Sequence, residues 1–156
     1  MTISFSINGE RRTVRIEAHE SLLDVLRREG FVGVKVGCHT GDCGACAVLF
    51  NGRAVNSCLV LAAKADGAEI LTVEGLGTGD RLHPLQEAFL DEGGVQCGYC
   101  TPGMIISAYG LLSRNPNPTE EEIREAISGN LCRCTGYVKQ IRAIQTAAER
   151  MRSGDE

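Results

Sequence analysis

The sequence is poor in several features that would assign a protein to a common class. It has no Trp, and aromatic residues make up 4% of the chain. No apolar run is long enough to cross a bilayer, and the N-terminus lacks the basic and apolar regions of a secretory signal. The net charge is −4, and Lys and Arg form no cluster on a predicted face. The sequence therefore argues against a membrane-spanning protein, a secreted protein and a nucleic-acid partner, and predicts a cytoplasmic protein.

Cysteine, in contrast, is abundant, with eight residues in a chain of 156. A chain of this length forms one medium domain or two small ones, and small domains with thin cores often need a disulfide or a metal as a staple. Disulfides are rare in the cytoplasm, where clustered cysteines more often bind metal. The cysteines are therefore predicted to be metal ligands.

The first cysteine group lies in the stretch 37–46 and is completed further along the chain. Cys38, Cys43 and Cys46 have the spacing C-x4-C-x2-C, and Cys58 follows after eleven residues. This is the plant-type spacing for a [2Fe–2S] cluster, in which four thiolates surround two irons. Three glycines in the stretch allow tight turns that point backbone N–H groups at anionic sulfurs. Structural zinc is the stronger alternative from spacing alone.

The first half has the pattern of a small mixed sheet with one helix. Asn-Gly pairs at 8–9 and 51–52 indicate two hairpins, and Ser21 is a typical helix N-cap. The predicted elements are strands over 2–7 and 12–17, a helix over 21–29, and strands over 47–50, 54–57 and 70–73. We predict that residues 1–74 form a β-grasp domain of the plant-type ferredoxin kind.

The pattern changes after a glycine-rich segment over 75–80, which is predicted to be a linker. Beyond it the apolar period becomes helical. Helices are predicted over about 84–91, 101–114, 120–128 and 137–152, the last with Val138, Ile141, Ile144 and Ala148 near one face. Residues 81–156 are therefore predicted to form a four-helix domain, which makes the whole chain an α+β protein.

The second cysteine group lies in two turns of this helical domain. Cys97 and Cys100 precede the second helix, and Cys132 and Cys134 lie between the last two. Alternate loops of an up-down bundle share one end, so the four thiols are expected to meet. C-x2-C paired with C-x-C is not a usual zinc spacing. From the residues alone, zinc and an iron–sulfur cluster both remain open here.

The motifs around this second group carry a specific resemblance. Gln96-Cys97-Gly98-Tyr99-Cys100-Thr101-Pro102-Gly103 and Gly129-Asn130-Leu131-Cys132-Arg133-Cys134-Thr135-Gly136-Tyr137, together with the first cysteine group, resemble the iron–sulfur subunit of the molybdenum hydroxylases, the xanthine oxidase family. The resemblance covers essentially the whole chain, and all eight cysteines fall on ligand positions of the family. One departure is His39-Thr40-Gly41, where many members of the family have an acidic residue.

The resemblance implies two [2Fe–2S] clusters and a role for each cysteine. Cys97, Cys100, Cys132 and Cys134 would hold the cluster on the molybdenum side. Cys38, Cys43, Cys46 and Cys58 would hold the cluster on the flavin side. Gln96, and Cys134 as a ligand, would also approach the pterin of a molybdenum cofactor that a large subunit binds. A medium subunit would bind FAD.

The resemblance therefore implies that the chain is an electron-transfer subunit, which passes electrons from molybdenum through both clusters toward FAD. No side chain is predicted to act as a catalytic nucleophile, acid or base. A heterotrimer with the two partner subunits is expected, and a pair of heterotrimers by analogy. The alternatives are a free-standing two-cluster ferredoxin and a zinc-stapled interaction module.

Overall fold

The computed structural model describes residues 1–154, and Asp155 and Glu156 of the predicted helical domain lie outside the described residues. The strands are β1 (Thr2–Ile7), β2 (Glu10–Arg15), β3 (Ala47–Phe50), β4 (Arg53–Asn56) and β5 (Glu69–Leu71). The α-helices are α1 (Leu22–Arg28), α2 (Pro84–Asp91), α3 (Thr101–Leu112), α4 (Glu120–Ile127) and α5 (Tyr137–Ser153). The predicted α+β order is confirmed. None of the helices within residues 1–154 has the length and apolar content that crossing a lipid bilayer requires.

The strands form one mixed sheet in the order β2-β1-β5-β3-β4. β1 and β5 are parallel, and the other neighbouring pairs are antiparallel. Both predicted hairpin turns are present, since Asn8 and Gly9 have φ of 50° and 83°, and Asn51 and Gly52 have φ of 49° and 78°. Positive φ at both central residues is the type I′ geometry that suits the twist of the flanking strands. The two hairpins join through β5, as a β-grasp requires.

Several strand boundaries differ from the prediction by one or two residues, and two of them have a clear local reason. β2 begins at Glu10 and not at residue 12, because the two-residue turn pairs Glu10 directly with the end of β1. β5 ends at Leu71 and not at residue 73. The backbone N–H of Thr72 donates to the Asn8 side chain at 2.9 Å, and the chain then enters a 3-10 turn. A side chain thus replaces the next strand hydrogen bond.

Helix α1 covers one face of the sheet and was predicted almost to the residue. The Ser21 side chain caps the helix by accepting from the backbone N–H of Asp24 at 3.2 Å, and Gly30 follows the helix with φ of 96°. Its apolar side chains are fully buried against the sheet, and they are Leu22, Leu23, Val25 and Leu26. They complete the core of the first half.

The four helices of the second half share a separate apolar core. His83 caps α2 by accepting from the backbone N–H of Leu85 at 3.1 Å. Thr119 and Glu122 form a capping box at the start of α4, in which each side chain pairs with the backbone N–H of the other residue. Such caps satisfy N–H groups that have no partner within the helix.

The predicted face of α5 is only partly correct. Ile141, Ile144 and Ala148 are buried, but Val138 is 65% exposed, so its assignment to that face was wrong. Gln140 is buried instead, with 2% of its surface exposed. The buried face also includes two alanines, at 143 and 147, which moves its centre around the helix and away from Val138.

The two halves pack directly on each other. Ala47 and Leu49 of β3 and Ile106 of α3 form a small apolar cluster between them. The backbones of Gly44 and Gly103 approach so closely that a Cβ on Gly103 would lie 2.3 Å from the carbonyl oxygen of Gly44. Only glycine allows this contact, so the position of the first cysteine loop against α3 depends on it.

The segment predicted as a linker is packed at its start. A Cβ on Gly75 would lie 2.3 Å from Oδ1 of Asn8, and a Cβ on Gly77 would lie 2.6 Å from Oε1 of Gln86. Leu76, between them, packs against the helical core. The start of this segment therefore helps to fix the two halves relative to each other.

Candidate metal centres

The first cysteine group lies on the loop between α1 and β3. His39, Gly41 and Gly44 have φ of 58°, 87° and 69°, so the chain turns sharply three times within the loop. The backbone N–H of Thr40 donates to Sγ of Cys38 at 3.3 Å. The loop thus directs a backbone N–H at a sulfur, as the sequence predicted.

The loop is also too tight for a side chain at its start. A Cβ on Gly37 would lie 2.5 Å from Sγ of Cys43. A glycine at this position leaves the space around the Cys43 sulfur open, as a cluster ligand needs.

The fourth cysteine of this group comes from the end of the β3–β4 hairpin. Cys58 lies in the 3-10 turn Ser57–Leu59 that follows β4. The Ser57 hydroxyl donates to the carbonyl oxygen of Cys46 at 2.8 Å, and the Asn56 amide donates to the carbonyl oxygen of Gly41 at 2.7 Å. These bonds hold the turn that carries Cys58 against the loop.

The thiols of this group have opposite pKa shifts. Hydrogen bonds from the side chain and then the backbone of Thr40 lower the pKa of Cys38 to about 6. Burial, and next the neighbouring Cys46 thiol, raise the pKa of Cys58 to about 11. Neighbouring thiolates repel each other. Several thiolates therefore stay close together only when a metal centre supplies positive charge.

The second group is assembled from two distant turns of the helical half. Cys97 and Cys100 precede α3, and Cys132 and Cys134 lie between α4 and α5. Nε2 of Gln140 lies 3.5 Å from Sγ of Cys100 and 3.8 Å from Sγ of Cys132, so one thiol from each loop lies at the same side chain. Gln96 joins the loops as well, because its side-chain amide donates to the carbonyl oxygen of Cys134 at 3.4 Å.

The pKa values of two neighbouring thiols again shift in opposite directions. Burial, and next the Cys132 thiol, raise the pKa of Cys100 to about 11. Burial also opposes ionisation of Cys132, but hydrogen bonds, first from the Gly136 backbone, outweigh it and lower the pKa of Cys132. The thiolate is thus favoured on the loop that leads into α5.

The donor set fits iron–sulfur clusters. All eight cysteines are free thiols, and their spacing in the sequence divides them into two groups of four. Within residues 1–154, no three His, Cys, Asp or Glu side chains converge on the position of one ion. Thiolates are the usual ligands of [2Fe–2S] clusters, and backbone N–H groups aimed at sulfur are the usual support.

Comparison with known proteins agrees with this chemistry. Residues 5–72 match the family model for a 2Fe-2S iron-sulfur cluster binding domain, and residues 72–145 match the model for a [2Fe-2S] binding domain. The chain is 52% identical over 151 residues to the nicotinate dehydrogenase small FeS subunit of Eubacterium barkeri, with 96% of each chain covered. The chain belongs to the small iron–sulfur subunits of the molybdenum hydroxylases. It is therefore an electron-transfer subunit of an oxidoreductase complex, as predicted.

Solved structures of the molybdenum hydroxylases have the same fold. Quinoline 2-oxidoreductase from Pseudomonas putida 86 matches with a TM-score of 0.94 and 46% identity, covering 100% of this chain and 98% of that chain. Aldehyde oxidoreductase from Desulfovibrio gigas also has a TM-score of 0.94, at 42% identity, but the match covers 18% of that chain. The predicted β-grasp followed by a helical cluster domain is confirmed.

Three polar residues of this iron–sulfur subunit were given no role in the sequence analysis, although two of them, Asn130 and Tyr137, stand in the quoted motif. The Asn130 side chain, 3% exposed, donates to the carbonyl oxygen of Gly44 at 3.0 Å. The Tyr137 hydroxyl accepts from the backbone N–H of Cys132 at 2.7 Å. Gln140 reaches the sulfurs of the second group from α5. For Gln140, the sequence offered one signal, a glutamine among the apolar residues of a helix face. A buried amide at such a position needs hydrogen-bond partners.

Proposed function

We propose that this chain carries electrons between a molybdenum–pterin cofactor in a large partner subunit and an FAD in a medium partner subunit. Each cysteine group would hold one [2Fe–2S] cluster. The ligands of the first are Cys38, Cys43, Cys46 and Cys58. The ligands of the second are Cys97, Cys100, Cys132 and Cys134. When bound, such clusters accept and release single electrons.

One hydrogen bond carries this proposal furthest. The backbone N–H of Leu131 donates to the carbonyl oxygen of Cys43 at 2.9 Å. Leu131 precedes Cys132 in the chain, so a ligand of one group connects to a ligand of the other through backbone bonds and this single hydrogen bond. Asn130 braces the same junction through its bond to Gly44. The arrangement supports electron passage between the groups.

The exposed residues near each group support partner contacts at both ends. Gln96 and Cys97 are exposed beside the second group, which supports an approach of Gln96 and Cys134 to the pterin. Leu59 and Leu61 are 65% and 50% exposed next to the ligand Cys58. Exposed large apolar side chains favour a covering partner, here proposed to be the medium subunit.

The remaining parts of the proposal concern organisation. The domains are residues 1–74 and 81–156, joined by 75–80, and the two matched family regions that meet at residue 72 support this division. The chain would form a heterotrimer with its partners, paired by analogy into a dimer of heterotrimers. This chain would supply no substrate-converting side chain. Eight free cysteines suit the reducing cytoplasm, the compartment we propose.

The test is to purify the affinity-tagged chain from its native cells without oxygen and to measure its metals and flavin. We expect molybdenum, flavin and iron to elute with the chain in one complex. Iron in a chain that elutes alone would contradict the proposal and favour a free-standing ferredoxin. Zinc without iron would contradict it and favour a zinc-stapled module.

A further inference from the structure

Gln140 occupies an unusual position for an amide side chain. It lies in the first turn of α5 on the buried face of the helix, with 2% of its surface exposed. Its Nε2 lies 3.3 Å from the carbonyl oxygen of Gly94, 3.5 Å from Sγ of Cys100 and 3.8 Å from Sγ of Cys132. One side chain thus contacts both loops that form the second cysteine group.

The contact with Gly94 fixes the orientation of the amide. A carbonyl oxygen only accepts hydrogen bonds, so the group facing Gly94 must be the NH₂ of Gln140 and not its oxygen. The NH₂ has two N–H donors. One bonds to Gly94, and the other is left for the two sulfurs, which share it.

The other end of the amide argues against a purely structural role. Oε1 of Gln140 is buried and has no hydrogen-bond partner in the described part of the chain. An apolar side chain would fill this site without burying an unpaired acceptor. Ile141 and Ile144 fill buried positions of the same helix in that way. The amide is therefore explained better by its N–H donors than by packing.

We propose that Gln140 is a positioning residue that holds Cys100 and Cys132 together and raises the reduction potential of the second cluster through its N–H donor, an inference that rests on the proposed function. Reduction adds one electron and makes the cluster and its thiolates more negative. An N–H directed at the sulfurs stabilises that added charge more than the charge of the oxidised form. No bond forms or breaks, and the electron comes from the reductant.

The first cysteine group provides an internal reference. The N–H donor at its Cys38 sulfur belongs to the backbone of Thr40, which no side-chain substitution at Gln140 removes. A change at Gln140 should therefore affect one cluster and leave the other unchanged.

The experiment is a redox titration of the assembled complex, followed by EPR, with Gln140→Leu and with Gln145→Leu as a matched control. Gln145 is a half-buried glutamine five residues further along α5. For Gln140→Leu we expect the reduction equilibrium of the second cluster to become about tenfold less favourable, a fall of 59 mV for one electron. The first cluster, and both clusters of Gln145→Leu, should keep their potentials. Equal second-cluster potentials in Gln140→Leu and the parent would overturn the inference.

A second readout does not depend on assembly of the Gln140→Leu complex. Glutamine side-chain amides are labelled with ¹⁵N in a chain that carries Gln96→Leu. The substitution removes the glutamine amide that bonds to Cys134 in the second group. We expect pulsed EPR to detect a ¹⁵N coupling on the signal of the second cluster. A second-cluster signal without that coupling would overturn the inference.

EPR of the parent complex distinguishes a failure of this inference from a failure of the proposed function. Two EPR signals in the parent, with an unshifted potential in Gln140→Leu, would overturn the role of Gln140 and leave the proposed function standing. Absence of the second signal from the parent would overturn both.

Discussion

The two cysteine groups are assembled in different ways. In the first, Cys38, Cys43 and Cys46 lie within one loop, and its geometry comes from backbone turns at positive φ. In the second, Cys100 and Cys132 come from loops that are distant in sequence and approach the same Gln140 side chain only when four helices pack. The first group is thus specified locally and the second by tertiary structure. Substitutions should therefore affect the two groups differently.

Removal of one proposed cluster ligand should have the largest effect, and that effect should be confined to one cysteine group. In Cys134→Ser we expect loss of the second EPR signal and a fall in iron from about four to about two atoms per chain, since each cluster contains two irons. In Cys58→Ser we expect the first signal to be lost instead. Metal analysis and EPR of the reduced chains provide the measurement. Loss of both signals from either variant would show that the groups are not independent.

The glycine contact between the halves tests whether the groups share structural support. In Gly103→Ala the new Cβ would meet the carbonyl oxygen of Gly44 at 2.3 Å, so we expect a loss of about 3 kcal/mol in the free energy of unfolding. Gly129→Ala is the control, because its Cβ would have no neighbour within 4 Å. Anaerobic urea denaturation measures both. Equal stability of the two variants would argue against a tight junction.

The buried Asn130 should have a smaller effect at the same junction. A carboxylate cannot donate to the carbonyl oxygen of Gly44, so Asn130→Asp should lower the free energy of unfolding by about 1–3 kcal/mol. Asn117→Asp is a matched control, since the Asn117 oxygen accepts from Arg152 on the surface and an aspartate keeps that bond. Urea denaturation should show a change near zero for the control. A similar loss in both variants would contradict a specific role for Asn130.

The mildest test compares thiol reactivity in the metal-free chain. The pKa of Cys38 is lowered to about 6, whereas the pKa values of Cys58 and Cys100 are raised to about 11. At pH 7.5 iodoacetamide should therefore label Cys38 before the other two, because the thiolate is the reactive form. Thr40→Val should slow labelling of Cys38, since the Thr40 side chain makes the largest contribution to the lowered pKa. Mass spectrometry identifies the labelled residue, and faster labelling of Cys100 would contradict the assignment.

The same pKa shift predicts how stability depends on pH. Because folding lowers the pKa of Cys38 from 9 to about 6, its contribution to stability is complete above pH 9 and is lost as the pH falls through 6. Thr40→Val should flatten this dependence. Urea denaturation of the metal-free chain at pH 9 and at pH 6 provides the comparison.

The sequence predicted those features that depend on near neighbours. The Asn-Gly turns and the Ser21 cap each follow from residues within a few positions, and all are present. The first cysteine group was predictable for the same reason. The second group could be assigned from the residues alone only to a metal site with two candidates, and the resemblance to the molybdenum hydroxylases was needed to choose between them.

The missed features depend on contacts between distant parts of the chain. Asn130 reaches Gly44, and Leu131 reaches Cys43, only after the two halves have packed. Burial of Gln140 and exposure of Val138 depend on which side of α5 the other helices cover. Helical period alone does not define that side, because the alanines at 143 and 147 fit either an apolar face or an exposed one.

The most direct test of two clusters on one chain is EPR of the dithionite-reduced protein, purified without oxygen, with iron and zinc measured on the same sample. The account predicts two distinct S = 1/2 signals, about four irons per chain and no zinc. Zinc with no paramagnetic signal would contradict it.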